Sequence, residues 1–590
     1  MAALAEVDRP EFNRSVDWTA LSRLGLGAFV LGACASSPKC TERPTPPAPS
    51  PLPAPTSPPR EQLLSILSLN DLHGRVGALP AFAGYFEALR RARGDRGMVL
   101  AVDAGDMFQG TIGSNSSEGA GVVRAYNALG MTVAALGNHE FDYGPIDGAP
   151  PVNGLLAQGA LRARVAEAEF PYLAANLVAA NGAFPAWDNL FRRVLLRTPE
   201  LTIGFVGVLT RETPSIVMPD YFAGLEVSDL ATAVREQAAA LRREGAHVVI
   251  AIAHAGAECQ RFDDPRDLSS CDADTSELFQ TIRRTGPGLV DAWIGGHTHA
   301  GAAHFVDGVP VIEAYSRGKA FGRVDLRLSG SPPRVVEARP FPPEPLCPDS
   351  GELAPCQTHE YEGQAVVPSQ AVAEVIAPAL EVARRERERL LDVEVVERLP
   401  PEHDVESALG NLFADLMLEH FPKADFAISN GGSLRAALPA GPLSYGELYE
   451  AMPFDNRVVT LELSGAELRQ VLERHLSAEA RGIVSVSGIE IEAHCQENAL
   501  KVRILRRGKP ISDQTKLTLV TSDYLASGGD LLFSPLGEPR ARIQNASPLL
   551  LRDVLALGLK KRRKVSAKDS FDPKHPRIRL SAPRPLRCGT

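Results

Sequence analysis

Between residues 63 and 345 one pattern recurs: a short apolar run, followed at once by a cluster of Asp, His, Asn and Gly. The runs Leu64–Leu69, Met98–Val102, Val133–Leu136, Ile203–Val208, Val248–Ala253 and Ala292–Ile294 are too short for helices and read as buried strands. Helical patterns separate them, which makes the region a layered α/β domain. In such folds functional groups gather at the carboxyl ends of the strands, where these clusters lie.

A chain of 590 residues exceeds what one core organises, so a second domain is expected. A Pro-rich break at Pro342–Pro355 and a helical stretch over 370–391 precede another mixed region. The expected division is 1–34 leader, 35–60 tether, 61–345 first domain, 346–392 linker with a bridging helix, 393–557 second α/β domain and 558–590 basic tail. The tail carries five consecutive basic residues, Lys560–Lys564, read as a solvated face. Over the whole chain acid prevails, with a net charge of −10, which argues against a nucleic-acid polymer as partner.

The leader holds an apolar stretch, Leu21–Ala33, with Arg9, Arg14 and Arg23 around it, too short to cross a bilayer as a helix. It ends in Leu31-Gly32-Ala33-Cys34, which resembles the lipobox of bacterial lipoproteins and implies a lipid anchor on Cys34. From Pro38 to Pro59 ten residues are Pro, the composition of an extended spacer that would hold a folded body off a membrane. An exported lipoprotein, periplasmic or on the cell surface of a bacterium, is the expectation. Cys259 with Cys271, and Cys347 with Cys356, are close enough in sequence to close short disulfide loops, with zinc binding as the competing reading. Cys40, Cys495 and Cys588 have no assignable partner in the sequence.

The clusters carry metal-ligand chemistry. Asp71 and His73 are two apart on an extended segment and so point to one side. Asp106 offers a carboxylate that can bridge two cations, and Asn138 a neutral amide oxygen. His254, His297 and His299 add imidazoles, and His139 lies beside Asn138. Mixed nitrogen and oxygen ligation without thiolate suits zinc, manganese, cobalt or iron.

Taken in order, LNDLHG, GDMFQG, GNHEFDYG, HAG and GGHTH resemble the five signature blocks of the calcineurin-like metallophosphoesterases, in the bacterial 5′-nucleotidase branch. That resemblance implies two divalent ions within a layered β-sandwich flanked by helices, and a second, substrate-binding α/β domain joined by a helix. Asp71, His73, Asp106 and His299 would hold one ion. Asp106, Asn138, His254 and His297 would hold the other. His139 would assist bond breakage with Asp142 orienting its ring, and Glu140 is read as structural.

The segments Ala427–Arg435, Met452–Phe454 and Tyr524–Asp530 resemble the substrate-binding part of the same family. By that resemblance Arg435 binds phosphate, Asn430 contacts the nucleoside, Asp530 accepts from ribose hydroxyls, and Phe454 with Tyr524 sandwiches the base. Where relatives often place a further phosphate-binding Arg, this chain has Glu402-His403-Asp404. The implied activity is phosphate release from nucleoside 5′-monophosphates, with UDP-sugars as further substrates. The alternatives are a 2′,3′-cyclic-nucleotide phosphodiesterase with 3′-nucleotidase activity and, in another class, a non-catalytic nucleotide-binding lipoprotein.

Overall fold

The computed structural model describes residues 61–146, 157–347, 353, 356–478 and 482–588. The leader, the Cys34 anchor and the Pro-rich tether lie outside the described residues.

The strand Gln62–Leu69 shows why the first domain is layered. Leu64 and Ile66 point to one side, into a core shared with Ile203, Phe205, Ile250 and Ile252, whereas Leu67 and Leu69 point to the other, among Phe82, Tyr85 and Tyr126. A strand apolar on both faces must be covered on both, and here a second sheet covers one face and helices the other. The first sheet has seven strands in the order Arg334–Pro345, Ala320–Ser329, Gln62–Leu69, Gly97–Asp103, Val133–Ala135, Tyr172–Leu173 and Leu190–Phe191. The second has six, in the order Gly301–Val306, Val309–Ala314, Ala292–Ile294, Val248–His254, Thr202–Leu209 and Arg193–Arg197. Helices Leu79–Arg93 and Ala120–Leu129 cover the outer face of the first, Leu230–Arg243 and Glu277–Thr285 that of the second. The six expected strands are all present and lie mostly parallel, so their carboxyl ends share one edge.

The bridging helix runs from Gln370 to Glu388, capped by the Ser369 hydroxyl, which accepts from the Val372 N–H. It stops short of 391 because the chain enters the strand Leu390–Val395. Val372 and Ile376 belong to the core of the first domain, Ala383 packs with Ile112 and Tyr449, and Arg387 pairs with Glu450 at 3.2 Å. One helix therefore contacts both domains.

The second domain is built on the five-stranded sheet Val484–Ser487, Phe426–Asn430, Lys516–Ser522, Arg457–Ser464 and Ile543–Leu550, with smaller sheets of three and four strands beside it. Of the tail expected over 558–590, the described residues 558–588 are built into the second domain. The helix Leu551–Arg562 runs across residue 557, Lys564–Val565 pairs with the strand Leu390–Val395, and Ile578–Leu580 pairs with Glu490–Gln496. Part of the basic run is neutralised locally, Lys560 by Asp392 at 3.2 Å and Arg562 by Glu419 at 2.5 Å. Cys588 then closes a disulfide with Cys495, while Cys259 bonds Cys271 and Cys347 bonds Cys356.

Candidate active site

Five acidic or imidazole residues in the loops at the shared strand edge have left-handed backbone: Asp71 (φ 50°), His73 (50°), Asp106 (58°), His297 (81°) and His299 (59°). Non-glycine residues rarely take this conformation, and its clustering marks a surround that compels it. The compulsion is visible in the backbone, where the Asp71 N–H donates to the Gly105 carbonyl and the His73 N–H to the Asp106 carbonyl, both at 2.9 Å. Gly137 must be glycine, since a side chain there would strike the Asp106 carboxylate and backbone.

The buried Glu140 carboxylate fastens the same loops. It accepts from the N–H groups of Asp106 and Met107 at 2.8 Å and of Gly137 at 2.7 Å. Burial, then the Asp106 charge, pushes it up to about 7. Glu313 does similar work on the other side, accepting from the Ala257 N–H at 2.9 Å and the Thr298 hydroxyl at 2.6 Å. Neither carboxylate is free to ligate.

The turns gather two sets of donor atoms, each within 4.8 Å of one another: Asp71, His73, Asp106 and His299 in one, Asp106, His254 and His297 in the other. Asp106 is common to both. Asn138 joins the second set, its Oδ1 3.0 Å from His254 Nε2. The His73 and His254 rings donate from Nδ1 to the carbonyls of Gln109 and Ala104, both at 2.8 Å, which leaves each Nε2 as the lone-pair nitrogen. His73 Nε2 and His299 Nε2 face each other at 2.8 Å, and Asp71 Oδ1 is buried with no hydrogen-bond partner. His297 Nε2 lies 3.3 Å from Glu212. Burial, reinforced by His299, holds His73 well below the usual imidazole range, the neutral form a metal ligand needs. Burial works against the charge of Asp106, yet His254 and His139 hold it well below the carboxylate range. Convergent nitrogen and carboxylate oxygen atoms without competing donors fit two divalent cations sharing Asp106.

Beside them stands His139. Its backbone N–H donates to Asp106 Oδ1 at 2.8 Å, and its Nδ1 lies 2.5 Å from Asp142 Oδ2. Its Nε2 meets the guanidinium of Arg435, which the second domain brings across the boundary. The Arg435 guanidinium also lies over the Phe454 ring, 5.4 Å from its centre. Gln109 and Asn115 of the first domain both donate to the Pro453 carbonyl, at 3.3 and 3.1 Å, and so hold the Phe454 loop against the first domain.

The remaining substrate-side residues form one network. Asp530 accepts from the Tyr524 hydroxyl at 2.6 Å and from Asn430 Nδ2 at 2.7 Å, and Ser433 donates to Asn430 Oδ1. Phe454 and Tyr524 make no ring contact with each other among the described residues; Phe454 lies by His139 and Tyr524 by Asp530. His403 ties its Nδ1 to the Gly431 carbonyl at 2.9 Å, so it props the Asn430–Gly432 turn.

Sequence reasoning passed over the loop anchors. Glu313 and Glu212 act through contacts set by tertiary structure and carry no motif of their own, and Gln109, though it lies inside the GDMFQG block, shows its anchoring contacts only in the fold.

The calcineurin-like phosphoesterase family model matches residues 64–301, and the 5′-nucleotidase C-terminal domain model matches residues 392–537. The chain belongs to the 5′-nucleotidase family. It is thereby a metal-dependent phosphoester hydrolase of two domains. Family relatives include the 5′-nucleotidase of Diplobatis ommata, 25% identical over 82% of this chain and 85% of that protein. Endonuclease YhcR of Bacillus subtilis is 26% identical over 82% of this chain, which spans only 38% of its length. The 5′-nucleotidase precursor of Thermus thermophilus superposes with a TM-score of 0.68 at 21% identity, covering 88% of this chain and 100% of that one, a shared fold.

Proposed function

We propose that this chain is an exported hydrolase that releases phosphate from nucleoside 5′-monophosphates at two divalent ions. The observation that carries the reading is the convergence of His139 Nε2 and the Arg435 guanidinium beside Asp106, because an arginine and a histidine able to donate once protonated, brought from different domains to one point, suit a phosphoryl oxygen.

Asp71, His73, Asp106 and His299 hold one ion, and Asp106, Asn138, His254 and His297 the other. Bound there, the ions offset the negative charge of the phosphoryl oxygens and make water acidic enough to attack near neutral pH. Arg435 orients the phosphoryl group with its paired donors. Water oxygen bonds to phosphorus, the bond from phosphorus to the ribose 5′ oxygen breaks, and a proton passes to that oxygen. His139 Nε2 is the donor toward the reacting oxygens, with its other nitrogen held by Asp142. Phe454 and Tyr524 supply apolar faces for the base, and Asp530 supplies acceptors for ribose hydroxyls. Export is supported by three disulfides, which persist in oxidising compartments. The leader and Pro-rich segment extend the reading to a lipid anchor at Cys34.

The test is phosphate release from AMP before and after chelation, alongside UDP-glucose, a 2′,3′-cyclic nucleotide and p-nitrophenyl phosphate. Activity on AMP that is lost on chelation and restored by zinc, manganese or cobalt supports the reading. Metal-dependent cleavage confined to the cyclic nucleotide would replace it with the phosphodiesterase reading, and nucleotide binding without turnover by metal-loaded protein with the binding-protein one.

A further inference from the structure

Arg317 sits in the loop after the strand Val309–Ala314, at the sheet edge that carries the metal-site loops. Its backbone is left-handed at φ 55°, as is that of Tyr315 at 57°, a conformation that costs on the order of 1–3 kcal/mol for such residues and persists only where it is over-determined. Two contacts determine it. The Arg317 N–H donates to the Asp71 carbonyl at 2.7 Å, and its own carbonyl accepts from Arg75 at 3.1 Å. The backbone is thus pinned to a loop that bears a metal ligand, while the side chain crosses the domain boundary and donates from Nη2 to the Arg435 carbonyl at 3.0 Å.

That carbonyl is its one hydrogen-bond acceptor among the described residues. Neither guanidinium, of Arg317 or of Arg435, has a carboxylate within ion-pair distance there. Two guanidinium groups near one another and partly withdrawn from water repel, and the carboxylates that offset them, Glu450 for Arg317 and Asp106, Asp142 and Asp71 for Arg435, act from beyond ion-pair contact. An anion between or beside them would relieve both costs, and a guanidinium presents paired donors matched to phosphoryl oxygens.

We propose that Arg317 and Arg435 form a paired-guanidinium subsite that takes a second phosphoryl group joined to the first, as in a nucleoside diphosphate or its ester. The inference rests on the reading of Arg435 as the contact to the reacting phosphoryl group. Arg317, fixed beside it and with no carboxylate in ion-pair contact among the described residues, then selects substrates that continue into a pyrophosphate.

The experiment compares kcat/KM for AMP, ADP and UDP-glucose in the wild type, Arg317→Met and Arg317→Lys, with inhibition of each by inorganic pyrophosphate and by inorganic phosphate. In Arg317→Met the loss on ADP and UDP-glucose should exceed the loss on AMP by about tenfold, and the pyrophosphate-to-phosphate inhibition ratio should fall by about the same factor. Arg317→Lys, which keeps a cation, should recover part of both. Equal losses on all three substrates, or an unchanged inhibition ratio, would show Arg317 to be a domain clasp and overturn the proposal. Should the wild type hydrolyse none of the three, the parent reading fails instead. Calorimetric binding of pyrophosphate and phosphate to metal-loaded wild type and Arg317→Lys then decides this one: a pyrophosphate preference reduced by the substitution upholds it, and no such preference refutes it.

Discussion

The Arg435 guanidinium and His139 Nε2 are in hydrogen-bond contact although 296 residues separate them in the chain. The guanidinium donates there to the imidazole lone pair, and the pair stands beside Asp106, with His139 Nε2 4.0 Å from its carboxylate. On the proposed function both would act on the same phosphoryl group, so their effects are expected not to be independent. His139→Ala is expected to lower kcat by about 10²–10⁴, the usual range for a positioned proton donor. Arg435→Ala should act mainly on KM, and the double variant should lose less than the product of the two single losses. Steady-state kinetics with AMP on all four proteins measure this, and multiplicative losses would separate the two roles.

Asp106 belongs to both donor sets and also accepts from the His139 N–H, so it links the two sets to His139. Asp106→Asn keeps the volume and removes the charge that, on the proposed function, both ions would share. The expected outcome is no detectable turnover and metal content reduced from two ions per chain toward one or none, read by elemental analysis of purified protein. Retention of two ions with full activity would place the bridge elsewhere.

Phe454 lies beside His139 and Arg435, whereas Tyr524 is anchored to Asp530, so the two rings hold separate positions around the substrate side. Stacking on an aromatic side chain is worth about 1–3 kcal/mol per base. Phe454→Ala together with Tyr524→Ala should lower the ratio of kcat/KM for AMP over p-nitrophenyl phosphate by at least about tenfold while leaving metal content unchanged. An unaltered ratio would remove both rings from base recognition.

The layered first domain was legible in the sequence because strand period and strand-end chemistry coincide: Leu64 and Ile66 alternate with Leu67, and Asp71 follows within two residues of the strand. The donor residues of the two metal sets were legible for the same reason, each lying in or just beyond an apolar run. Distance in sequence hid the rest. Cys495 and Cys588 are 93 residues apart and meet only because Ile578–Leu580 pairs beside Glu490–Gln496. The basic run Lys560–Lys564 is largely the solvated face expected of it, but its place in the second domain was hidden because Lys564–Val565 pairs with the strand Leu390–Val395 far upstream. Arg317 carries no motif, and its significance appears only when the Arg435 carbonyl lies against it.

The Cys495–Cys588 bond closes a long loop and fixes the last described residues to the second domain. Cross-links of this kind stabilise chiefly by limiting the unfolded chain, typically by about 2–5 kcal/mol. Cys588→Ser should therefore lower the melting temperature of the oxidised protein, with no further drop on adding reductant beyond that due to the other two bonds. Activity below the transition should persist, since the bond lies away from the metal residues.

His475 makes stability depend on acid. Its Nε2 accepts from the Val484 N–H at 3.3 Å, and burial, aided by the nearby Arg584, lowers it to about 3. In the unfolded chain an imidazole takes up a proton near pH 6.5. The folded state resists that proton, so the stabilising contribution is complete above about pH 6.5 and is lost progressively as the pH falls toward 3. By pH 5 the loss should be on the order of 1–2 kcal/mol. His475→Gln keeps an acceptor for the Val484 N–H but does not titrate, so its melting temperature should fall less steeply than that of the wild type between pH 7 and pH 5. Parallel curves for the two proteins would show that His475 protonates freely in the native state.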